Sequence, residues 1–255
     1  MLNVDRQRII LDQLYQKGSV KVSELSAEFG VHEETIRRDL KALAAGWDIE
    51  TIYGGAVLKN KIVTPSVQEM NMQMKRSRNY EEKQIVAKKA ASLIQPGETI
   101  GLNSGSTVEY ILDYLEDKKP LNIVTLNVHI ASKAVLLDEV EVYIPGGKIW
   151  GKSGSVIGPG AADFIKSFTI DKCFFGVSAV NIGKGICHPN MEEVEGNKAM
   201  VQASRMRYIV TDSSKMNQTA LFKMIDIKDI DGFVTDENFP KEYQEYMEMN
   251  GIEII

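Results

Sequence analysis

Three sets of residues in this chain have the types and spacing to do chemistry. The first is the run Asn103-Ser104-Gly105-Ser106-Thr107, which joins a short apolar stretch to one with helical periodicity. Its glycine allows close backbone approach, and its hydroxyls, with the N–H groups of a helix start, can donate to an anion. Serine and threonine before a helix also serve as plain caps. The second set is Asp212-Ser213-Ser214-Lys215, which puts a cation beside two hydroxyls after another apolar stretch. Thr125, Gly146-Gly147 and Thr235-Asp236 close further stretches of this kind, and Lys198 offers a second cation on a helical segment. Polar loops of this composition describe a pocket for a small anionic, hydroxylated ligand. The third set is Thr35, Arg37, Arg38 and Lys41, on or near the solvent side of a helical segment. Its Ile36, Leu40 and Leu43, at i, i+4 and i+7, form one apolar stripe. Basic side chains held outward on a fixed helix suit the base edges and phosphates of a DNA major groove. On an isolated helix the same pattern is an ordinary solvated face.

Other chemistries find less support. Glu193, Glu195 and Asp212 are of the type that acts as base in a sugar-phosphate isomerisation, which needs a carboxylate within reach of a carbon-bound proton. Nothing in their spacing marks a base, and no catalytic residue is assigned. His32, His129 and His188 are scattered without clustered cysteines or carboxylates, so no metal site is expected. Neither G-x-x-x-x-G-K-[ST] nor G-x-G-x-x-G occurs, which leaves a nucleotide or dinucleotide reading without its main support, and no cofactor is expected. Cys173 and Cys187 lack a paired spacing, which fits a reducing compartment. With no signal peptide and no apolar run long enough to span a bilayer, a cytoplasmic protein without membrane attachment is expected. The net charge is −5, and the first 60 residues carry eight Lys/Arg against nine Asp/Glu. Nucleic-acid binding must therefore rest on the placement of a few arginines and on dimerisation, not on bulk charge.

The elements that position these residues read as follows. Residues 4–16 form a helix ended by Lys17-Gly18. Ser23 is the expected N-cap of a second helix, with Val22 and Ala27 as a hydrophobic staple and Gly30 as its left-handed C-terminal residue. A third helix spans about 33–45, and a small β-wing follows near 47–57, with Tyr53 and Gly54 at its turn. Residues 59–80 read as a linker whose alternating Met70, Met72 and Met74 fit either an adaptable packing surface or a partly exposed helix. From Glu81 helices alternate with strands at 99–102, 121–126, 140–144, 172–177, 207–211 and 232–235, and Val108, Ile111, Leu112 and Leu115 mark one clean helical face. This predicts an α/β domain with a mostly parallel sheet, which binds ligands at the carboxyl ends of its strands. The expected organisation is a DNA-binding domain over 1–58, a linker over 59–80 and a ligand-sensing domain over 81–255.

The segment TIRRDLKAL followed by IYGGAV resembles the DeoR family of bacterial transcription regulators, whose winged helix-turn-helix carries a TIRRDL recognition helix and a wing ending in HGGA. Arg37, Arg38, Asp39, Leu40, Leu43, Gly54, Gly55 and Ala56 stand as in that pattern. His32 replaces a small cap, Thr51 an arginine of the wing, Tyr53 a histidine, and Asp48 an apolar residue. The later part is also similar to the family's sensor domain, through Asn103 to Thr107, Ile123-Val-Thr-Leu126, Gly146-Gly147, Asp212 to Lys215 and Thr235-Asp236. Asn103 stands where aspartate is usual and Leu126 where a polar residue is usual. The resemblance covers nearly the whole chain. It implies a sensor domain with a fold like that of ribose-phosphate isomerases, and a double-stranded DNA operator contacted by Thr35, Arg37, Arg38, Lys41, Tyr53 and Gly54. It further implies a phosphorylated sugar effector held by residues 103–107, Thr125, Gly146, Gly147, Lys198, Asp212 and Lys215, and a homodimeric or larger repressor of a sugar operon. The alternatives are an isomerase-like enzyme with an accessory DNA-binding domain, and a DNA-binding module whose second domain only dimerises.

Overall fold

A computed structural model of the chain describes residues 3–46, 49–58, 72–151 and 153–255. These fall into two compact units, one including the segment Gln73–Tyr80 after the first 58 residues and the other containing Glu81–Ile255.

The first unit contains α1 (Asn3–Lys17), β1 (Ser19–Lys21), α2 (Val22–Phe29), α3 (Glu33–Gly46), β2 (Ile49–Ile52) and β3 (Gly55–Leu58). The strands form an antiparallel sheet in the order β1-β3-β2. Ile10, Leu14, Leu25, Ile36, Leu40 and Ile49 are its largest buried side chains, so the apolar stripe of α3 faces inward as its spacing requires. The three-residue β1 is too short to leave a pattern in the sequence. It pairs with β3 and reshapes the start of α2. Lys21, not Ser23, holds the N-cap position, without a side-chain cap, and Ala27 is exposed. The Val22 N–H donates instead to the carbonyl of Gly54 in the wing turn, at 2.8 Å. Gly30 is left-handed, as expected.

Asp39 turns inward from the TIRRDL segment. Its carboxylate accepts from Arg6 Nε at 2.6 Å and from Gln7 Nε2 at 3.1 Å, tying α3 to α1. Both members of the ion pair are buried. Removing one partner leaves the other charged and buried, which costs far more than the pair itself contributes.

α4 (Met72–Ser77) belongs to the first unit from Gln73 onward. The second unit contains α5 (Tyr80–Ser92) from Glu81 onward, and then β4 (Thr99–Leu102), α6 (Ser106–Glu109), β5 (Leu121–Thr125), α7 (Val128–Ala134) and β6 (Val140–Tyr143). The hairpin strands β7 (Lys148–Trp150) and β8 (Ser155–Ile157), α8 (Pro159–Lys166), β9 (Ile170–Gly176), β10 (Ala179–Asn181) and β11 (Gly185–His188) come next. Last are α9 (Met191–Ala203), β12 (Ser204–Val210), β13 (Phe222–Ile225), β14 (Gly232–Val234), α10 (Lys241–Met249) and β15 (Glu253–Ile254). Seven strands make one sheet in the order β15-β14-β12-β9-β4-β5-β6, and every pairing is parallel. Neighbouring side chains go to opposite faces. Ile123, Phe174, Tyr208 and Val234 enter one core, and Val124, Phe175, Ile209 and Phe233 the other. Both faces are covered, as an all-parallel sheet requires.

The sequence reading and the structure differ at several points. The helix expected after Thr107 is one α-turn that passes into a 3₁₀ segment, Tyr110–Tyr114, although Val108, Ile111, Leu112 and Leu115 are all buried as their stripe predicts. The hairpin β7–β8 and the antiparallel sheet β10-β11-β13 were not read from the sequence. Residues 72–77 of the expected linker are helical, and Met72 is buried. Met70, with 59–71 as a whole, lies outside the described residues, as do Trp47 and Asp48.

Asp39→Ala should destabilise the first unit by about 3–5 kcal/mol, because the Arg6 guanidinium is left buried and unpaired. Denaturant unfolding of the full chain followed by circular dichroism checks this. A loss below 1 kcal/mol would show that the pair does not hold α1 to α3.

Candidate functional site

Two polar regions stand out, one in each unit. On α3 of the first unit, Arg37, Arg38 and Lys41 are exposed and Thr35 is half-buried. Arg37 is tied along its own helix, its Nη2 2.6 Å from Glu33 Oε2 and its Nη1 3.7 Å from Glu34 Oε2. Among the described residues Arg38 has no ion-pair partner, so α3 presents it to solvent free of a neighbouring carboxylate. At the wing turn Ile52 and Gly54 are exposed, and Tyr53 is fully exposed. The face is a helix with free basic groups beside a projecting hairpin tip, the geometry for major-groove contact by the helix and backbone contact by the wing.

In the second unit the carboxyl ends of β5, β4, β9 and β12 lie side by side, and buried polar side chains collect there. Asn103, Ser104, Ser106, Thr107, Thr125, Asn127, Asp212, Thr235 and Asp236 are all buried. Asn103 ends β4. Its Oδ1 accepts from the N–H of Gly176 at 2.8 Å and of Gly105 at 3.3 Å, while its Nδ2 donates to the Gly176 carbonyl at 3.0 Å and to Asn197 Oδ1 at 3.3 Å. Gly105 and Gly176 face each other so closely that a Cβ on either would come 2.7 Å from the Cα of the other. Thr125 Oγ1 donates to the Leu102 carbonyl at 2.7 Å and accepts from the Asn127 N–H at 3.1 Å. Asn127 caps α7 through Oδ1, and its Nδ2 donates to the Ser153 carbonyl at 2.7 Å.

That last bond brings the β7–β8 turn over the strand ends. Gly154 has φ of 76° and a Cβ there would meet the His129 ring at 2.5 Å, so glycine is required. The turn buries Ser153 and Ser155 against Glu193 of α9. Ser153 Oγ donates to Glu193 Oε1 at 3.0 Å, Ser155 Oγ donates to Oε2 at 2.8 Å, and Ser155 Oγ also meets Ser104 Oγ at 2.5 Å. At β12, Asp212 accepts from Ser214 and Asp236 accepts from the Ser213 and Asn238 N–H groups. Both carboxylates thus shape the 3₁₀ turn Ser213–Lys215 that carries Lys215, which is half-buried. Thr235 Oγ1 is buried and has no hydrogen-bond partner among the described residues.

Known proteins similar to this chain bear on both regions. Residues 78–237 match the DeoR C terminal sensor domain and residues 6–61 the DeoR-like helix-turn-helix domain. The chain belongs to the DeoR family. A DeoR-family protein of Escherichia coli O157:H7, provisionally named an aga operon transcriptional repressor, is 34% identical over 98% of this chain and 93% of its own. The glycerol-3-phosphate regulon repressor of Escherichia coli K12 is 30% identical, with 92% of each covered. Among solved structures, ribose 5-phosphate isomerase from Plasmodium falciparum is similar over 53% of this chain and 52% of its own, at 22% identity and a TM-score of 0.40. The chain is a DNA-binding transcription regulator, a helix-turn-helix domain followed by an α/β domain with a parallel sheet.

Within this DeoR-family fold the residues singled out from the sequence separate into three kinds. Ser104, Ser106, Thr107, Asp212 and Lys215 sit at the strand ends. Asn103, Gly105 and Thr125 are there too, but their polar groups or close approach serve neighbouring strands, so they hold the site's shape. The others lie elsewhere. Gly146 and Gly147 are exposed beyond β6. Lys198 is exposed and lines a groove of about 520 Å³ with Val201, Arg207, Lys223 and Asp226. Glu195 is exposed, which takes it out of the site. Leu126 is buried in the core, and the polar residue comes one place later, at Asn127. Ser153 and Ser155 leave no signal in the sequence because β7–β8 is a short hairpin with no strong pattern, and Asn127 reads only as the cap of α7. Among the described residues no three His, Cys, Asp or Glu side chains come together to hold a metal ion, and no described helix is long and apolar enough to cross a membrane. Cys173 and Cys187 are free and buried, and burial pushes the Cys173 thiol up to about 12.

Asn103→Asp should destabilise the second unit. An ionised carboxylate cannot donate to the Gly176 carbonyl, so two acceptors would face each other while buried, at a cost of about 1–3 kcal/mol. A thermal melt checks this, and an unchanged midpoint would mean that the amide is not the clamp.

Proposed function

We propose that this DeoR-family regulator represses a sugar-use operon and is released when a phosphorylated sugar or related intermediate binds in the second unit. The observation that carries the reading is the collection of buried polar side chains at adjoining carboxyl ends of an all-parallel sheet, in a chain that also presents free arginine on a recognition helix. Parallel α/β sheets bind ligands at those ends. Strands spaced about 4.8 Å apart put the ends of β4 and β12, with β9 between them, about 10 Å apart, the span of a small phosphorylated sugar. Lys215 lies at one side of that span and the Ser104–Thr107 loop at the other, where they hold the two ends of one ligand. The relatives named as aga operon and glycerol-3-phosphate regulon repressors support both repression and the ligand class.

Binding, not turnover, is the role of this site. Both oxygens of Glu193 are already hydrogen-bonded and Glu195 is exposed, which leaves neither carboxylate aimed at a substrate carbon, while Asp212 shapes its own turn through Oδ1. The regulator works in the cytoplasm as a dimer or larger oligomer, because one recognition helix makes too few base contacts for operator selection.

Arg38→Ala should weaken operator binding by about 1–3 kcal/mol. Arg37→Ala should cost less, because Glu33 and Glu34 already share that guanidinium. Gel shifts at fixed salt test this, and wild-type affinity in both variants would remove α3 as the reading helix.

Lys215→Ala should still bind operator but no longer respond to effector. In the wild type, effector and operator should each weaken the other's binding by the same factor, about 5- to 150-fold. Titration calorimetry with and without operator reads that factor, and equal effector affinities would refute the release mechanism. Sustained turnover of ribose 5-phosphate, abolished by Glu193→Gln, would favour the enzyme instead.

A further inference from the structure

Glu193 is 5% exposed, yet its neighbours are mostly uncharged hydroxyls. Among the described residues, His188 is the one basic group within ion-pair distance, its Nε2 lying 3.9 Å from Glu193 Oε2. The His188 Nδ1 is occupied by the backbone of Asn190, with the N–H at 3.1 Å and the carbonyl oxygen at 3.0 Å. Glu193 stands one helical turn before Asn197, on the same face of α9, and Asn197 is bonded to Asn103. The carboxylate is thereby fixed beside Ser104, in the same strand-end loop whose opposite neighbour across β9 leads to Lys215.

The hydrogen count of this cluster is informative. Ser153 Oγ and Ser155 Oγ are 2.8 Å apart, in addition to the three contacts that join them to Glu193 and Ser104. The three serine hydroxyls supply one proton each and an ionised carboxylate supplies none. Four oxygen–oxygen contacts share three protons, and the Ser155 N–H adds a further donor only to Ser153 Oγ. The cluster is short of donors and carries a negative charge away from water. A ligand hydroxyl arriving at Ser104 or Glu193 brings the missing proton. A carboxylate or a second phosphate brings acceptors and a like charge, which a buried site resists strongly.

We propose that Glu193, with Ser104, Ser153 and Ser155, reads the uncharged, hydroxyl-bearing end of the effector and restricts it to compounds with a single anionic group. This inference rests on the strand-end loops being the effector site. The effector class is then the monophosphates of sugars or polyols, with phosphorylated sugar acids and bisphosphates excluded. Glu193 is a specificity residue on this view, and Lys215, at the other side of the span, serves the phosphate.

The test uses the full-length protein and calorimetry. The panel holds three- to six-carbon sugar and polyol monophosphates, each paired with its aldonic acid phosphate and, where one exists, its bisphosphate. At least one monophosphate should bind, with its acidic counterparts weaker by roughly tenfold or more. Glu193→Gln keeps the side chain's shape without its charge, and should shrink that ratio mainly by improving the acidic compounds. Acidic counterparts that bind the wild type as well as the monophosphate would overturn the proposal, as would an unchanged ratio in Glu193→Gln. If Glu193→Gln does not fold, the wild-type ratio alone decides. If no phosphorylated compound binds the wild type, the effector reading itself fails and this proposal falls with it. That outcome is distinct from binding without discrimination, which sinks only the assignment to Glu193.

Discussion

The amide of Asn103 holds the second unit's site together. A parallel sheet has no hairpin turns to join neighbouring strands at their ends, so the carboxyl ends of β4 and β9 diverge into separate loops unless side chains tie them. Asn103 ties them with both halves of its amide, accepting from the Gly176 N–H and donating to the Gly176 carbonyl. An ionised carboxylate cannot do both, because it has no proton to donate. The facing pair Gly105 and Gly176 lets the two backbones meet, and Thr125 makes the equivalent tie from β5 to β4. The donation to Asn197 then carries the same reference point onto α9. Ser104, Ser155 and Glu193 are positioned by this chain of contacts before any ligand arrives, which lowers the ordering cost of binding.

The first unit follows the same logic with a different bond. Two of the three charged residues in Arg37-Arg38-Asp39 work inside the protein or along the helix. Asp39 is buried against Arg6 and Gln7, and Arg37 is shared with Glu33 and Glu34. That expenditure fixes the angle of α3 and leaves Arg38 and Lys41 as the exposed cations without a carboxylate beside them among the described residues. With no net positive charge in the first 60 residues, binding gains modestly from counterion release. Selectivity must come from geometry: the rigid bracket of α3 on α1, and the Gly54 carbonyl that joins the wing turn to the first turn of α2.

What the sequence disclosed follows from which patterns are long enough to be periodic. The α3 stripe Ile36, Leu40 and Leu43 and the parallel strands with their alternating cores were legible, because each repeats its pattern over several residues. The three-residue β1 and the β7–β8 hairpin were not, since two or three residues carry no period. The hairpin matters most, because Ser153 and Ser155 come from it. A second obstacle was chemical type. Asn103 and Thr125 look like ligand contacts in a linear reading, but a polar side chain at a strand end has to satisfy neighbouring backbone groups first, and only tertiary structure shows that it does so. Glu193 was legible by type alone, as a carboxylate that could act as a base. Its hydroxyl partners, which decide what it does, come from 38 to 40 residues away.

The proposed sensor role fits a site whose Glu193 carboxylate is already held by serine hydroxyls. A general base needs an oxygen directed at the proton it removes, and both oxygens of Glu193 point into serine hydroxyls. For the same reason, a ligand gains only the difference between its own hydrogen bonds and those it displaces. On the proposed reading, net affinity is moderate even when the contacts are numerous, which suits a regulator that has to release its effector as concentrations fall. The switch also requires that the effector interact unequally with two arrangements of the protein. A cluster of three serines and one carboxylate short of a proton meets that requirement locally, because a donor from the ligand changes which of its contacts are hydrogen bonds. α9 carries Glu193 and Asn197 on one face, so a rearrangement at the serines is felt by the same helix that is clamped to Asn103.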